Sequence, residues 1–512
     1  MLFAVLIVLL SAIVAYFYVF CRRAYGYWKS LGVPYEEPEC LFFGSSFNLV
    51  FARETATDVY QKIYNSHSRE KFCGFYHMTR PHLLIRSPEL VEAITVKDFS
   101  YFQNRHMKAN TELDELSAHL VNLRDEQWRV TRHKMNPTFS SSKLKHMHGQ
   151  LTDCADNLVE RLASVEKSTE VNIGDFIRRY GMDALCSCAF GIDAEAPNNP
   201  SATILGVVRR IFEPSRLMAF KRFLRTELDW FFTLLRWRNV PVELEKYFKN
   251  LIDEILEHRE KQDAGRVDFL QLTNDLVKND LLLIRDGQLD KDDPNVFTKK
   301  LMYANEFVFF LAGLETTTST ICYTLYELAL NTGIQEEAYQ EIKRIVTKHG
   351  HLAHEAIKEM TYLSHVLSES LRKYPPVPLI SREASKNYKI PETDITLPKG
   401  MVVFIPVHSI QHDPKYFPDP YEFKPERFTH QILPGSYLPF GDGPRKCIGA
   451  RFAELEAKIA LSKILLEYTV TRCHKTEVPL TMDKRVALLA TPKGGIWLGL
   501  ERRTKNQRED SS

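Results

Sequence analysis

The stretch LPFGDGPRKCIGARFAELEAK, residues 438–458, constrains the fold of this chain more than any other, because one cysteine, Cys447, sits inside it. Gly441 and Gly443 permit a tight loop before the cysteine, Pro444 stiffens that loop, and a helical pattern follows. A thiolate is a strong, soft ligand that must be protected from protonation and oxidation. Backbone N–H groups at the start of a helix supply that protection. The stretch therefore predicts a thiolate held at the N-terminus of a helix.

The residues beside Cys447 suit a flat metal cofactor. Gly449 has no Cβ, so a flat group can press against the helix start. Phe440 can shield the sulfur from water, and Arg445 can pair with an anionic group. A buried thiolate with a nearby arginine fits haem iron, with a propionate for the arginine. The alternative is a buried structural cysteine, which is the usual fate of a lone cysteine.

Five of these residues form the pattern F-x-x-G-x-R-x-C-x-G, which fixes five positions within ten: Phe440, Gly443, Arg445, Cys447 and Gly449. By this pattern the sequence resembles the cytochrome P450 family of haem-thiolate monooxygenases and its haem-binding loop. The resemblance covers the chain from about residue 30 to 500 and is strongest to eukaryotic microsomal members, particularly the insect detoxification enzymes. It implies haem b as the cofactor and Cys447 as the axial iron ligand.

The segment NEFVFFLAGLETTTSTICYTLYELAL, residues 305–330, resembles the oxygen-activating helix of that family. Ala312 and Gly313 are small enough to let the helix pass close over haem. Hydroxyls in a helix can bond the carbonyl one turn earlier and loosen the helix locally. Thr316 can then hold bound oxygen by a hydrogen bond, while Glu315 relays protons through water. The alternative is a core helix with a threonine-rich stripe.

Glu369 and Arg372, in residues 368–384, are i,i+3 neighbours, a pairing worth only about 0.2–0.5 kcal/mol when exposed. The chain has three further E-x-x-R pairs, which begin at Glu126, Glu213 and Glu341. The segment YPPVP after the helix and PERF at 425–428 single out Glu369. In the family, Arg427 joins this pair in a buried network that holds the cysteine loop. Loss of one member should cost about 3–5 kcal/mol, because a buried charge is left unpaired.

The resemblance also implies residues that bind the haem propionates. Trp128 and Arg132 lie four residues apart on one helix face and resemble the family's W-x-x-x-R helix. Arg382, ten residues after Arg372, resembles a second propionate arginine. Arg105 in FQNRH is a further candidate, for which a solvated surface arginine is the alternative.

Residues 1–20, MLFAVLIVLLSAIVAYFYVF, carry no charge, and about 20 apolar residues suffice to cross a bilayer. A cleaved signal peptide is the alternative, but it would have a basic start and a small-x-small cleavage site. Arg22, Arg23 and Lys29 follow, which places the N-terminus in the lumen and the body in the cytoplasm. With the microsomal resemblance, this predicts a single-pass anchor in the endoplasmic reticulum membrane.

Helical spacing dominates from about residue 55 to 375, and two stretches, 72–87 and 395–407, predict strands. The second has a Pro-Lys-Gly turn between apolar runs, which predicts a hairpin. We therefore expect a mostly α chain with a small β part, an α+β arrangement in one large domain of cytochrome P450 fold. The expected parts are an anchor (1–20), a basic, proline-containing linker (21–40), a catalytic domain (41–500) and a disordered tail (501–512).

The implied reaction is the insertion of one oxygen atom of O2 into a small apolar xenobiotic, hormone or lipid. The sequence has no G-x-G-x-x-G or P-loop between a strand and a helix, so electrons must come from a partner. In microsomal members this is the NADPH-dependent cytochrome P450 reductase, with cytochrome b5 as a second candidate donor. The docking face would lie on the cysteine side, where the candidates are Arg129, Lys134 and Lys446, with plain solvation as the alternative.

Net charge, cysteine content and haem chemistry bear on alternative functions. A net charge of +2 indicates no pull toward nucleic acid, and nine scattered cysteines favour reduced thiols over a disulfide framework. One alternative activity is a haem-thiolate isomerase or dehydratase, whose members usually lose the Glu315–Thr316 pair. Another alternative is a non-enzymatic haem carrier or sensor.

Substrate choice is expected in three regions: residues 106–123, residues 216–237, and Leu379 with Ile380. The middle region mixes bulky apolar residues with arginines, which predicts contact with the membrane. Its alternative is an amphipathic helix pair that covers the core.

Overall fold

Helices make up most of the chain in the computed structural model, which describes residues 1–107, 110–165, 170–192, 215–262, 268–486 and 488–504. They form where apolar residues recur at helical spacing. The described helices are α1 (Leu2–Ala24), α2 (Tyr27–Ser30), α3 (Phe47–Val50), α4 (Ala56–Ser66), α5 (Pro88–Glu92), α6 (Asp125–Met135), α7 (Ser141–Ala163), α8 (Ile173–Leu185), α9 (Arg216–Glu227), α10 (Asp229–Leu234), α11 (Val242–Gln262), α12 (Phe269–Arg285), α13 (Lys299–Leu330), α14 (Thr332–His349), α15 (His354–Glu359), α16 (Thr361–Lys373), α17 (Val407–Gln411) and α18 (Ala450–Glu467).

Short strands form three small sheets, with orders β1-β2-β7-β4, β3-β9-β8 and β5-β6. The described strands are β1 (Phe72–His77), β2 (Arg80–Ile85), β3 (Val171–Asn172), β4 (Ile380–Glu383), β5 (Tyr388–Lys389), β6 (Thr396–Leu397), β7 (Val402–Ile405), β8 (Tyr468–Thr471) and β9 (Trp497–Arg502). The expected combination of mostly helix with a small β part is confirmed.

The first predicted strand pair is confirmed, but the second predicted hairpin is wrong. Strands β1 and β2 are antiparallel, with Phe72 opposite Ile85. The Pro-Lys-Gly turn does separate β6 from β7, yet β6 pairs with β5, and β7 lies between β2 and β4. All four residues of β7 are buried, which suits a strand in the middle of a sheet. The turn therefore connects two sheets instead of closing one hairpin.

Two hydrophobic clusters organise the body. The larger one surrounds α13, which is buried along most of its length and packs against α8 and α18. The second cluster surrounds the four-stranded sheet and includes α4. All nine cysteines lie in described residues and are free, as expected for reduced thiols. The cysteine loop, residues 438–449, contacts both clusters through Leu438 and Phe440.

The N-terminal helix is exposed over its apolar part and packed at its base. Residues Phe3–Ala24 are long and apolar enough to cross a membrane. Cys21 is fully buried. The Tyr25 hydroxyl lies 2.9 Å from Leu41 O, and Trp28 Nε1 donates to Phe75 O at 3.2 Å. The segment predicted as a linker thus begins against the body.

The C-terminal boundary also moves relative to the sequence expectation. Strand β9 continues to Arg502, and Arg503 Nε donates to Leu465 O at 3.0 Å. Residues 501–503, predicted to belong to a disordered tail, are therefore part of the folded body. Residues 505–512 lie outside the described part of the chain.

Candidate functional site

The cysteine loop is a tight structure directly before α18. The Cys447 N–H donates to Phe440 O at 2.9 Å, and Asp442 Oδ1 accepts from Gly443 N at 2.7 Å. Gly443 has φ +67°, and a Cβ there would lie 1.8 Å from Thr95 O. Only glycine fits that position. The loop delivers the cysteine to the N-terminal end of the helix.

The surroundings of the Cys447 sulfur combine enclosure with positive charge. The residue is exposed, yet protein atoms crowd it enough that burial raises the pKa of the thiol. The two observations agree if the sulfur faces a recess within the protein instead of bulk water. The Gly449 N–H and the charges of Arg132, Arg105 and Lys446 act to lower the same pKa. A thiolate here has both a donor and cations to stabilise it.

Three arginines gather near the cysteine loop, of which Arg105 is half-buried and the other two are buried. Arg382 and Arg445 are 1% and 3% exposed. Burial lowers the pKa of Arg105 to about 10, of Arg382 to about 9 and of Arg445 to about 8. Arg105 lowers the other two further by repulsion. Among the described residues, Arg382 Nε has no hydrogen-bond partner. Buried like charges with an unused donor call for an anion, so these residues fit the two propionates of haem.

Arg445 is tied to the protein more fully than the sequence suggests. Its three guanidinium nitrogens donate to Gln103 O at 2.8 Å, Leu120 O at 3.1 Å and Leu123 O at 2.8 Å. Its Cζ lies 4.0 Å from the centre of the Trp128 ring, in a cation–π contact. The structure thus places Trp128 and Arg445 together beside the loop. Their direct contact with the cofactor stays a prediction.

Helix α13 presents a small-residue face and a hydroxyl. Ala312 is exposed, and Thr316 Oγ1 donates to Ala312 O at 2.6 Å, which is the predicted bond to the carbonyl one turn earlier. The helix is nevertheless uninterrupted from Lys299 to Leu330. A Cβ on Gly313 would lie 2.9 Å from Leu185 Cδ2, so this glycine serves close packing against α8.

Glu315 and Thr316 have different surroundings despite being neighbours. Glu315 is buried, and its Oε1 accepts from Arg178 Nε of α8 at 3.1 Å. Arg178 could not be predicted as the partner of Glu315, because the two residues are 137 positions apart along the chain. The proton-relay role of Glu315 stays a prediction, and any such role must operate beside this ion pair.

The structure brings Glu369, Arg372 and Arg427 together. Arg372 Nε lies 2.7 Å from Glu369 Oε2, and Arg427 Nε lies 3.2 Å from Glu369 Oε1. The side chains of Glu369 and Arg372 are 0% exposed. By contrast, the Glu126–Arg129 pair is exposed, and Glu341 accepts from backbone N–H groups. Glu213 lies outside the described residues.

Gln411 connects this network to the cysteine loop, a role that sequence reasoning missed. The backbone carbonyl oxygen of Gln411 accepts from Arg372 Nη1 at 2.8 Å, and its side-chain Oε1 accepts from Leu438 N at 2.8 Å. Leu438 O in turn accepts from Gly441 N at 3.0 Å. No local pattern marks a glutamine for such a role, since its partners come from two distant segments, α16 and the cysteine loop.

The remaining candidates lie at the edges of the site. Leu379 and Ile380 are half-buried, and Ile380 Cδ1 would lie 3.7 Å from a Cβ on Gly441. Of the docking candidates, Arg129 pairs with Glu126, and Lys134 pairs with Asp280. Lys446 is exposed beside Cys447. Residues 108–109 of the first substrate region lie outside the described residues.

Comparison with known proteins adds to this geometry. A family model described as "Cytochrome P450" matches residues 34–498. The chain is 35% identical to "Probable cytochrome P450 6a14" of Drosophila melanogaster, over 97% of this chain and 99% of that protein. It is 33% identical to "Cytochrome P450 6A1" of Musca domestica, over 94% and 95%. It is 33% identical to "Cytochrome P450 6B7" of Helicoverpa armigera, over 95% and 96%.

Proposed function

The chain belongs to the cytochrome P450 family, and on that premise we propose that it is a microsomal enzyme that oxidises small apolar xenobiotics, hormones or lipids. Haem b and monooxygenation follow from the family and its relatives, which favour them over the isomerase and carrier alternatives. The proposal adds the residues that act, the class of substrate, the NADPH-dependent reductase as electron donor, and the endoplasmic reticulum membrane as location.

When bound, the haem supplies dioxygen activation and oxygen-atom transfer. Cys447 holds the iron through its sulfur, supported by the Gly449 N–H. Arg382 binds a propionate with its unused Nε–H, and Arg105 adds a second positive charge. Thr316 holds a proton at Oγ1 on the exposed side of α13. Glu315 supplies protons from the α8 side, where Arg178 keeps its carboxylate in place.

The observation that carries the proposal is the meeting of Cys447 with Arg105, Arg382 and Arg445, for which the described part of the chain provides no carboxylate partner. Purified protein with CO and reductant should show the red-shifted Soret band of a thiolate haem. Cys447→Ala should lose that band because the iron loses its sulfur ligand. The control, Cys322→Ala, removes a buried cysteine of α13 that lies outside the cysteine loop and should keep the band. A Cys447→Ala protein that kept the band would contradict the assignment.

Substrate class and electron supply need a second experiment. Binding difference spectra across terpenoids, steroids, fatty acids and pesticides should identify ligands that displace water from the iron. With NADPH and the reductase, a hit should yield a product that carries one atom of ¹⁸O₂. Product formation that does not require the reductase would contradict the proposed electron donor.

Apolar side chains near the anchor support a membrane location for one end of the body. Ring centroids of Phe17 in α1 and Phe42 lie 5.5 Å apart, and those of Phe51 and Phe220 in α9 lie 6.2 Å apart. The large apolar residues exposed on α9 and α10 are Leu217, Met218, Trp230, Phe231 and Leu234. A helix pair that only covered the core would bury these side chains. We therefore favour membrane contact for residues 216–237.

Lys446 is the residue we favour for the reductase-facing surface. It is exposed next to Cys447, whereas Arg129 and Lys134 already pair with acidic residues. A single positive charge above the cofactor can steer an acidic partner. Cytochrome b5 would approach the same face.

A further inference from the structure

Three histidines and one glutamate meet beside the four-stranded sheet, and none of them belongs to the cysteine site. His77 ends β1, His82 lies in β2, and Glu227 is the last residue of α9. His106 lies in the segment between α5 and α6. Their exposed fractions are 5%, 2%, 7% and 1%. Four ionisable side chains this deeply buried need partners that can satisfy them.

The ligand atoms of the cluster lie at distances that suit a small metal ion. His77 Nδ1 is 3.0 Å from Glu227 Oε1, His82 Nε2 is 3.6 Å from Glu227 Oε2, and His106 Nε2 is 3.9 Å from Glu227 Oε1. The ligand atoms of His77, His82 and Glu227 all lie within 4.8 Å of one another. Zinc bonds to nitrogen and oxygen of about 2.0–2.2 Å place tetrahedral ligands about 3.3–3.6 Å apart. Side-chain rotations have to bring these three ligand atoms, and His106 Nε2 with them, closer together to reach that arrangement.

One hydrogen bond lies within the cluster, between His77 Nδ1 and Glu227 Oε1, but in the described part of the chain it leaves most of the other polar atoms of the cluster without a partner. Both ring nitrogens of His82, both of His106 and Oε2 of Glu227 have no hydrogen-bond partner there. Buried side-chain nitrogens and oxygens are nearly always partnered. Unpartnered atoms that converge from separate segments therefore point to a ligand at their centre.

His77 differs from the other two histidines because its outer nitrogen is already held. Its Nε2 lies 2.9 Å from the Tyr60 hydroxyl. A histidine that ligates a metal usually gives its other ring N–H to such an acceptor, which fixes the tautomer and the ring orientation. Tyr60 can therefore aim the Nδ1 atom of His77 at the centre of the cluster.

Aromatic rings surround the histidines and keep water away. The Phe404 ring lies 5.3 Å from His77 and 5.4 Å from His82 between centroids, and the Phe223 ring lies 5.7 Å from His77. An apolar shell of this kind strengthens the attraction between a cation and its ligands.

We propose that His77, His82, His106 and Glu227 bind one zinc ion that fastens the end of α9 to the sheet. Imidazole and carboxylate ligands in a four-coordinate site suit zinc. Glu227 lies 150 positions from His77, so the ion ties together segments that the chain itself leaves far apart. The inference uses no residue assigned to haem binding and does not rest on the proposed function.

The first test measures metal content in the full-length holoprotein. The protein in detergent is incubated with Zn²⁺, dialysed against metal-free buffer, and assayed for zinc and iron by mass spectrometry. Because iron counts the haem, we expect about one zinc per iron. Zinc-edge X-ray absorption should show nitrogen and oxygen ligands at about 2.0–2.1 Å without sulfur at about 2.3 Å. A ratio below one zinc per ten irons would overturn the proposal, because the cluster would then be an ion-pair network without a metal. A sulfur shell would overturn it as well, because the zinc would then be bound by cysteine.

The second test locates the zinc with matched variants. His82→Gln and Glu227→Gln should each lower the retained zinc at least tenfold, while the reduced CO band reports an intact fold. The control replaces His148 and His354, another histidine pair with ring centroids 5.7 Å apart, by glutamine. It should retain the wild-type amount of zinc. If both cluster variants retain the zinc, or if the control variant loses it, the zinc binds elsewhere and the proposal is wrong.

A chelator provides a readout that does not depend on how the variants fold. Ligand binding to the native state raises the thermal midpoint, so removal of zinc from the wild-type protein should lower that midpoint. Added Zn²⁺ should restore it, and added Mg²⁺ should not. An unchanged midpoint after complete removal of zinc would contradict a fastening role for the ion.

Discussion

At the scale of single residues, we expect Thr316 to control protons at the cofactor from its position on α13. Its hydroxyl donates to Ala312 O, so its oxygen can still accept a hydrogen bond. Thr316→Ala removes that group and should release at least twice as much hydrogen peroxide per NADPH consumed. Peroxide and NADPH are measured together in the reconstituted system with reductase and a bound substrate.

The control for this variant is Thr320→Ala on the same helix. Thr320 Oγ1 donates to Thr316 O at 2.8 Å, but the residue is buried. Its loss removes a similar hydroxyl without changing the cofactor side. Equal coupling in wild-type and Thr316→Ala protein would rule out the proposed role.

Glu306 is a buried carboxyl whose protonation should set the pH dependence of stability. Burial raises its pKa from 4.5 to about 8, and Thr273 Oγ1 donates to its Oε1 at 2.8 Å. Between those values the folded state keeps a proton that the unfolded state releases. Stability from this group is therefore complete below about pH 4.5 and falls as pH rises toward 8, by at most about 1.4 kcal/mol per pH unit.

Glu306→Gln removes this titration while keeping the shape of the side chain. The thermal midpoint of the variant should exceed that of the wild type at pH 8, and the two should converge near pH 5. Parallel curves across that range would show that Glu306 is ionised in the folded protein.

At the scale of elements, the Glu369 network holds α16 to the loop that precedes Cys447. Glu369→Gln leaves the Arg372 guanidinium buried without a counter-charge and should lower the free energy of unfolding by about 3–5 kcal/mol. Denaturant unfolding and the yield of CO-binding holoprotein report the loss. Glu126→Gln removes the same charge from an exposed pair of the same spacing, and should leave the free energy of unfolding nearly unchanged because water screens that pair.

If Glu369→Gln gives no folded protein, Arg427→Gln keeps the prediction testable. The Arg427 side chain is 11% exposed, and its Nε lies 3.2 Å from Glu369 Oε1. Replacing Arg427 should therefore lower the free energy of unfolding by less than replacing Glu369. A Glu369→Gln protein as stable as the Glu126→Gln control would remove the network from any supporting role.

Elements fixed by local spacing were predictable from the sequence, and elements fixed by distant partners were not. The loop around Cys447 depends on glycines and a helix start within ten residues, so its conformation can be predicted from the local sequence. The pairing of β7 depends on β2 and β4, which lie far away along the chain. The surroundings of Glu315 could not be predicted for the same reason, because its partner Arg178 lies far away along the chain.

The histidine and glutamate cluster marks the limit of sequence reasoning more sharply. His77 and His82 share one hairpin and are spaced as H-x4-H, which zinc motifs also use, but His106 and Glu227 lie in distant segments and no cysteine pair accompanies them. Only the β1–β2 hairpin and the packing of α9 bring them together. Sequence patterns report ligands that are neighbours along a chain, whereas this site is assembled by folding.

At the scale of the whole molecule, α1 should not be the only contact with the membrane. Carbonate should fail to extract the full-length protein, because α1 is long and apolar enough to span the bilayer. A variant without residues 2–20 should still bind vesicles through α9 and α10. Adding Trp230→Asp and Leu234→Asp to that variant should release it, as measured by vesicle flotation.

The control for this experiment is Tyr421→Asp, which changes another exposed aromatic residue that is not on α9 or α10. It should leave vesicle binding of the shortened protein unchanged. Full-length protein that carbonate extracts would refute the anchor. A shortened protein that stays in solution would refute the contact through residues 216–237.

The packing of Tyr25 and Trp28 at the base of α1 sets the orientation of the body above the bilayer. On the proposed membrane contact of α9 and α10 at the same end, we expect the enzyme to take up molecules already dissolved in lipid. The relevant concentration is then the mole fraction of substrate in the membrane, and encounter occurs by diffusion in two dimensions. Adding empty vesicles to a fixed amount of substrate should therefore slow turnover, even though the total concentration in the tube is unchanged.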